Sequence, residues 1–134
     1  MAEIIKVLMI DDEKLFVESL TKVLKRRGMS VQAAHDGLSG LEMLELEEPD
    51  VIVLDLKMPG LDGLGTLERI RQKDLLTPVI LLTGHIDFDR VTQVLNKGAA
   101  EVLLKPCPIE TLVSAIENAC EMKAISREVN ETRG

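Results

Sequence analysis

Val51-Ile52-Val53-Leu54-Asp55-Leu56-Lys57-Met58-Pro59-Gly60 is the stretch on which the fold turns. Four apolar residues, three of them β-branched, run straight into a carboxylate, and a lysine and a Pro-Gly turn follow. A continuous apolar run of this length fits a strand buried on both faces of a parallel sheet, and Pro-Gly ends it. Asp55 then stands at the carboxyl edge of the sheet, where open α/β folds bind their ligands. An acid delivered there by a buried strand is a nucleophile, a metal ligand or a helix cap, and the flanking sequence has to decide among them.

Working outward, the same pattern repeats. Ile4 to Ile10 is apolar and stops at Asp11-Asp12-Glu13; Val79 to Leu82 is apolar and stops at Thr83-Gly84-His85; Val102 to Leu104 stops at Lys105-Pro106. A shorter strand is expected at Ser30 to Ala34. Helical spacing fills the intervals. Leu15, Phe16, Leu20, Val23 and Leu24 form the stripe of a first helix, with Lys25, Arg26 and Arg27 in its last turn and Gly28 as its left-handed end. Asp36 caps a second helix carrying Leu38, Leu41, Met43 and Leu44, which Gly37 and Gly40 weaken. Asp62 caps a third with Leu64, Leu67 and Ile70. A fourth runs from about Asp87 to Asn96 with Val91, Val94 and Leu95 inward. A fifth starts near Pro108 with Leu112, Val113, Ala115, Ile116 and Ala119 inward. Beyond Lys123 the stripe is lost, so residues 1–123 read as the domain and residues 124–134 as a polar helix extension or linker.

Five strands alternating with five helices describe one doubly wound α/β domain, with right-handed crossovers laying helices on both faces. The flavodoxin-like strand order 2-1-3-4-5 is expected, with its switch point between strands 1 and 3.

Composition removes several function classes. The chain has 134 residues, 46% hydrophobic and 29% charged, which suits one domain with a full core. Two Phe and no Tyr or Trp argue against a base-stacking platform or a flavin or sugar site lined with rings. A net charge of −7 argues against direct nucleic-acid binding. The two cysteines, Cys107 and Cys120, lack metal or CxxC spacing and read as reduced thiols. No run approaches the ~20 residues of a membrane span and the first residues do not form a signal peptide, so a cytoplasmic location is expected.

In the expected order strands 1 and 3 are neighbours. Asp11, Asp12, Asp55, Thr83 and Lys105 are then collected at one rim. Two carboxylates ~4 Å apart repel by about 4 kcal/mol at an effective dielectric near 20. A hard divalent cation such as Mg²⁺ relieves this through oxygen ligands. A lysine and a hydroxyl opposite the metal can hold a tetrahedral anion. That is the equipment of phosphoryl transfer, with a carboxylate able to serve as nucleophile. Each piece alone has a plainer reading. Asp11-Asp12 could cap the first helix, Asp55 could cap a turn, Thr83 could close an ST-turn, and His85 could be a loop residue. Their shared position at strand ends is what makes the set specific.

With these motifs the chain resembles the receiver domains of two-component response regulators, from about Ile5 to Met122. The resemblance rests on Asp11-Asp12, on Asp55 within Leu-Asp-Leu-Lys-Met-Pro-Gly-Leu-Asp-Gly, on Thr83 in Leu-Thr-Gly-His, and on Lys105-Pro106 after Lys-Gly-Ala-Ala-Glu. It implies that Asp55 accepts a phosphoryl group from a histidine kinase or a histidine phosphotransfer protein. Asp12, Asp55 and the Lys57 carbonyl would bind Mg²⁺, and Asp11 would act on the metal through water. Thr83 and Lys105 would hold phosphoryl oxygens, and the Lys105-Pro106 bond would be cis. The protein would be a switch that catalyses only its own phosphorylation and dephosphorylation. Its output face, and any dimer contact, would be the fourth helix, fifth strand and fifth helix. The output itself stays open: a stand-alone receiver or part of a longer regulator.

One departure stands out. The family usually has Tyr or Phe three residues before the lysine, as a rotating switch side chain; here it is Val102, which has no ring to swing. Lys57 and His85 occupy positions that tune phosphoryl lifetime in the family. Two rivals fit less well. An aspartyl-phosphate phosphatase would carry DxD after its first strand, and Asp11-Asp12-Glu13 is not that pattern. A flavodoxin-like cofactor binder would need a Ser/Thr/Gly-rich phosphate loop.

Overall fold

The computed structural model describes residues 4–74, 76–84 and 88–133, with side chains described as far as residue 129. Its elements alternate in chain order: β1 (Lys6–Ile10), α1 (Lys14–Arg26), β2 (Ser30–Ala34), α2 (Gly37–Leu46), β3 (Val51–Leu54), α3 (Gly63–Lys73), β4 (Val79–Thr83), α4 (Phe88–Asn96), β5 (Glu101–Leu104) and α5 (Ile109–Arg133). All pairings are parallel and the strand order is β2-β1-β3-β4-β5, as the alternation of apolar runs and helical stripes predicts.

The opening stretch lies at the middle of this sheet. Val51, Ile52, Val53 and Leu54 are each essentially inaccessible. Strand side chains alternate between faces, and the two sides of the sheet share them out accordingly. Val7, Met9, Val51, Val53, Ile80 and Leu82 pack with Val17 and Leu24 of α1 and with Leu112, Val113 and Ile116 of α5. Leu8, Ile10, Ile52, Leu54, Val79 and Leu81 pack with Leu41 of α2, Leu67 and Ile70 of α3 and Val94 of α4. A strand apolar at every position is therefore needed because both of its faces are covered. Truncating any of these fully buried Leu or Ile side chains to Ala removes about 2–5 kcal/mol.

Helix boundaries follow their caps. Asp36 accepts from the Ser39 backbone N–H at 2.7 Å, and Asp62 accepts from that of Gly65 at 2.8 Å. Both satisfy donors that the first helical turn leaves without partners. Gly28 takes φ +84° at the end of α1. Gly40 costs helix propensity but lets α2 lie against β1, since a Cβ there would come within 2.8 Å of Ile10 Cγ1. With its propensity low, α2 leans on its cap. Asp36→Ala is expected to destabilise the protein by about 1 kcal/mol, read as a lower urea midpoint at unchanged slope.

Three helix stripes differ from the sequence reading. Leu15, on the stripe expected to face inward, is 80% exposed, and Val17 is buried instead. At 100° per residue, Leu15 lies about 200° round the helix from Val17, so the two cannot face the same core. Leu38 and Leu95 are also largely exposed. In α2 the glycines and Leu41 make the contact; in α4 the buried residue is Val94. α5 runs unbroken to Arg133, past Lys123, where its apolar stripe ends. A polar anchor takes over there. The Lys123 ammonium is buried and donates to the Pro49 carbonyl at 2.9 Å and to the Thr77 hydroxyl at 3.1 Å, with Glu48 as counter-ion at 3.1 Å. Arg127 joins the same Glu48 at 2.6 Å.

Candidate functional site

The carboxyl ends of the central strands are held in register by backbone hydrogen bonds that continue one residue past each strand. Asp11 N–H donates to the Ala34 carbonyl at 3.0 Å, Asp55 N–H to that of Ile10 at 3.0 Å, and Lys105 N–H to that of Thr83 at 2.8 Å. The residue following each apolar run is thereby fixed at the rim. This is why three strand-terminal side chains from distant parts of the chain meet.

Asp11, Asp12 and Asp55 each present a carboxylate oxygen to a common point, the three atoms lying within 4.8 Å of one another. Asp11 and Asp55 are only 3% and 4% exposed. Neither is a helix cap: α1 starts after Glu13 and has no side-chain cap, while Asp11 Oδ1 accepts from the Glu13 N–H at 2.9 Å. Asp55 Oδ1 lies 3.4 Å from the Lys57 N–H, a long contact that leaves its other oxygen toward Lys105. Three hard oxygen donors, two of them nearly dry, are the ligand type a hard divalent cation takes.

Lys105 supplies the positive charge. Its ammonium stands 2.8 Å from Asp11 Oδ2 and 3.6 Å from Asp55 Oδ2. Burial disfavours its charge, but the hydrogen bonds to Asp11 and Glu13 outweigh that and hold Lys105 above the usual lysine range. For Asp11 burial wins over the lysine bond, and its carboxyl is pushed above the ordinary aspartate range.

Thr83 is fully buried at the end of β4, paired across the sheet with Leu104 and tied through its carbonyl to Lys105. Lys57 is exposed beside the site. Val102 is partly buried, pairs with Leu81 in the sheet and packs against the cluster that includes Val94. The Lys105-Pro106 bond is cis. His85 lies outside the described residues. Two neighbours of Lys105 went unread in the sequence: Glu13, 3.0 Å from its ammonium, and Phe16, whose ring centroid is 4.2 Å from it. Phe16 looked like one more member of a helix stripe, and Glu13 like a solvated residue after the acidic pair. Only the fold brings them to Lys105.

The family model for the response regulator receiver domain matches residues 7–117. The chain belongs to this family. Receivers are phosphoacceptor switches of two-component systems and interact with histidine kinases. Among curated relatives, the transcriptional regulatory protein TrcR of Mycobacterium tuberculosis is 38% identical over 113 residues, covering 84% of this chain and 44% of that protein. The DNA-binding transcriptional regulator NtrC of Escherichia coli is 34% identical over 110 residues, 82% of this chain and 24% of its own. The chain thus spans less than half the length of these relatives. Among solved structures, a receiver domain from Clostridium thermocellum superposes with a TM-score of 0.86 at 34% identity, over 91% of this chain and 98% of that one. NtrX from Brucella abortus, in complex with ADP, gives 0.91 at 27% identity, over 98% of this receiver and 30% of NtrX. No described helix of the receiver is long and apolar enough to cross a membrane.

Proposed function

We propose that this receiver takes a phosphoryl group on Asp55 from the phosphohistidine of a histidine kinase or histidine phosphotransfer protein. The observation that carries the reading is the convergence of Asp11, Asp12 and the Lys105 ammonium on Asp55. An Asp55 carboxylate oxygen attacks phosphorus, the P–N bond breaks, and the leaving imidazole keeps the bonding electron pair and takes a proton. Asp12, Asp55 and the Lys57 carbonyl would hold Mg²⁺, with Asp11 acting on it through water. The metal would supply charge neutralisation at the phosphoryl oxygens. Lys105 and the Thr83 hydroxyl hold oxygens of the product, whose phosphoryl group carries about −1.5 to −2 in place of the single charge of the Asp55 carboxylate. Attack of water on phosphorus breaks the bond to the Asp55 oxygen, releases inorganic phosphate and returns Asp55 to the carboxylate, so the protein also catalyses its own dephosphorylation.

Output runs through Thr83 and the start of α4 to the face formed by α4, β5 and α5, which would also carry a dimer contact. With Val102 packed in place of a rotating aromatic, that readout depends on the threonine half of the switch, with Lys57 and His85 tuning phosphoryl lifetime. The receiver domain is assigned to residues 1–123, and α5 continues past it to Arg133 as a polar helix extension or linker. The protein acts in the cytoplasm as the regulatory part of a longer regulator or as a free receiver, without touching nucleic acid itself.

Incubation with acetyl phosphate tests the reading. One phosphoryl group, labile to hydroxylamine, should appear by intact mass in the presence of Mg²⁺ and not in EDTA. A wild-type protein that stays unmodified under both conditions would refute it.

A further inference from the structure

Lys105 is held by more groups than the phosphoryl site calls for. Its ammonium is 2.8 Å from Asp11 Oδ2 and 3.0 Å from Glu13 Oε1, but 3.6 Å from Asp55 Oδ2. The Phe16 ring lies 4.2 Å from it, measured to the centroid, within the range of cation–π attraction. Glu13 occupies the N-cap position of α1 yet makes no capping bond with its side chain. The Asp11 carboxylate meets the Glu13 N–H instead, and the Glu13 carboxylate reaches Lys105. An ammonium has three donors. Two of them point to carboxylates of the β1–α1 turn, while Asp55 Oδ2 stands farther off at 3.6 Å, at ion-pair range.

We infer that Glu13, with Phe16 beside it, is a positioning residue that competes with the phosphoryl site for the Lys105 ammonium. This rests on the reading of Asp55 and Lys105 as the phosphoryl site. Phosphorylation then has to draw the ammonium off Glu13, and the strength of that grip sets how readily the modified state forms. The Glu13 side chain is 60% exposed, so the grip is that of a surface ion pair, a matter of a fewfold rather than of orders of magnitude. A second route to the same sign exists. Glu13 could act through space, repelling any anion that enters the site, with no part played by Lys105.

A double-mutant cycle separates the two. The probe is beryllofluoride with Mg²⁺, a phosphoryl stand-in, with uptake followed by fluorine NMR. Glu13→Gln should bind it about two- to fivefold more tightly than wild type, and the gain should vanish when Lys105→Met is also present. Unchanged affinity in Glu13→Gln would overturn the proposal, and so would a gain of equal size in the Lys105→Met background, which would assign the effect to charge alone. Thermal melts of each variant confirm folding. If wild type took up no beryllofluoride, or Asp55→Asn took it up equally, the fault would lie with the assignment of Asp55, and the clamp would fall with it.

Discussion

Asp55→Asn is expected to carry no phosphoryl group after exposure to acetyl phosphate and Mg²⁺, under conditions in which wild type is labelled. The substitution keeps shape and volume at a site that is 4% exposed, and its amide oxygen can still face the Lys57 N–H. What it removes is the proposed nucleophile, since a carboxamide does not form an acyl phosphate. Loss of label will not come from misfolding. Two carboxylates within 4.8 Å repel by at least about 3 kcal/mol at an effective dielectric near 20. Asp55 feels two such repulsions against one attraction to Lys105 of about 5 kcal/mol at 3.6 Å. In metal-free buffer the variant should therefore melt at or above the wild-type temperature. Mg²⁺ should reverse the order. At a hundredfold excess over its Kd the ion stabilises wild type by about 2.7 kcal/mol, several degrees in Tm for a domain of this size. Asp55→Asn, short of one ligand, should gain much less. Full labelling of the variant would remove Asp55 from its role.

Gly63→Ala should have the largest effect on folding among conservative changes near the site. Gly63 opens α3 and donates its N–H to the Leu56 carbonyl at 2.9 Å. A Cβ there would lie 2.9 Å from the Asp55 carbonyl carbon, and nearer still to the Asp55 oxygen and the Leu56 Cα. These are backbone atoms of the loop that presents the acid, so no side chain can turn aside. Overpacking of this kind costs about 1–3 kcal/mol or more, and here relief of the clash has to move Asp55. The variant should show a reduced urea midpoint together with slower labelling by acetyl phosphate. Gly84→Ala is the matched control, since an added Cβ at Gly84 has nothing within 4 Å. If Gly63→Ala unfolded at the wild-type midpoint, the close packing of α3 on the Asp55 loop would not constrain the site.

Much of this molecule is local. The run from Val51 to Leu54 has no polar face and fits a strand covered on both sides, and three similar runs with helical spacing between them point to a doubly wound sheet. Asp36 and Asp62 cap as their neighbours require, because a cap is settled within three residues. The members of the site were legible for the same reason. Asp11, Asp55, Thr83 and Lys105 each follow or end an apolar run, and a parallel sheet brings such ends to one rim.

What the local pattern leaves undecided is which partner each side chain meets once it arrives. Leu15 and Val17 are both apolar and either could have faced the core; the seating of α1 on the sheet chose Val17. The length of α5 beyond its stripe follows from the buried Lys123 ammonium finding the Pro49 carbonyl, 74 residues away in sequence. The grip of Glu13 on Lys105 spans 92 residues. Periodicity reports only whether a residue is inside or outside an element, because it measures rotation about one helix or strand. Contacts between the ends of different strands depend on the order in which the strands pair, so Asp55 could be placed at the rim by sequence alone, while the carboxylate that restrains its lysine could be found only in the folded chain.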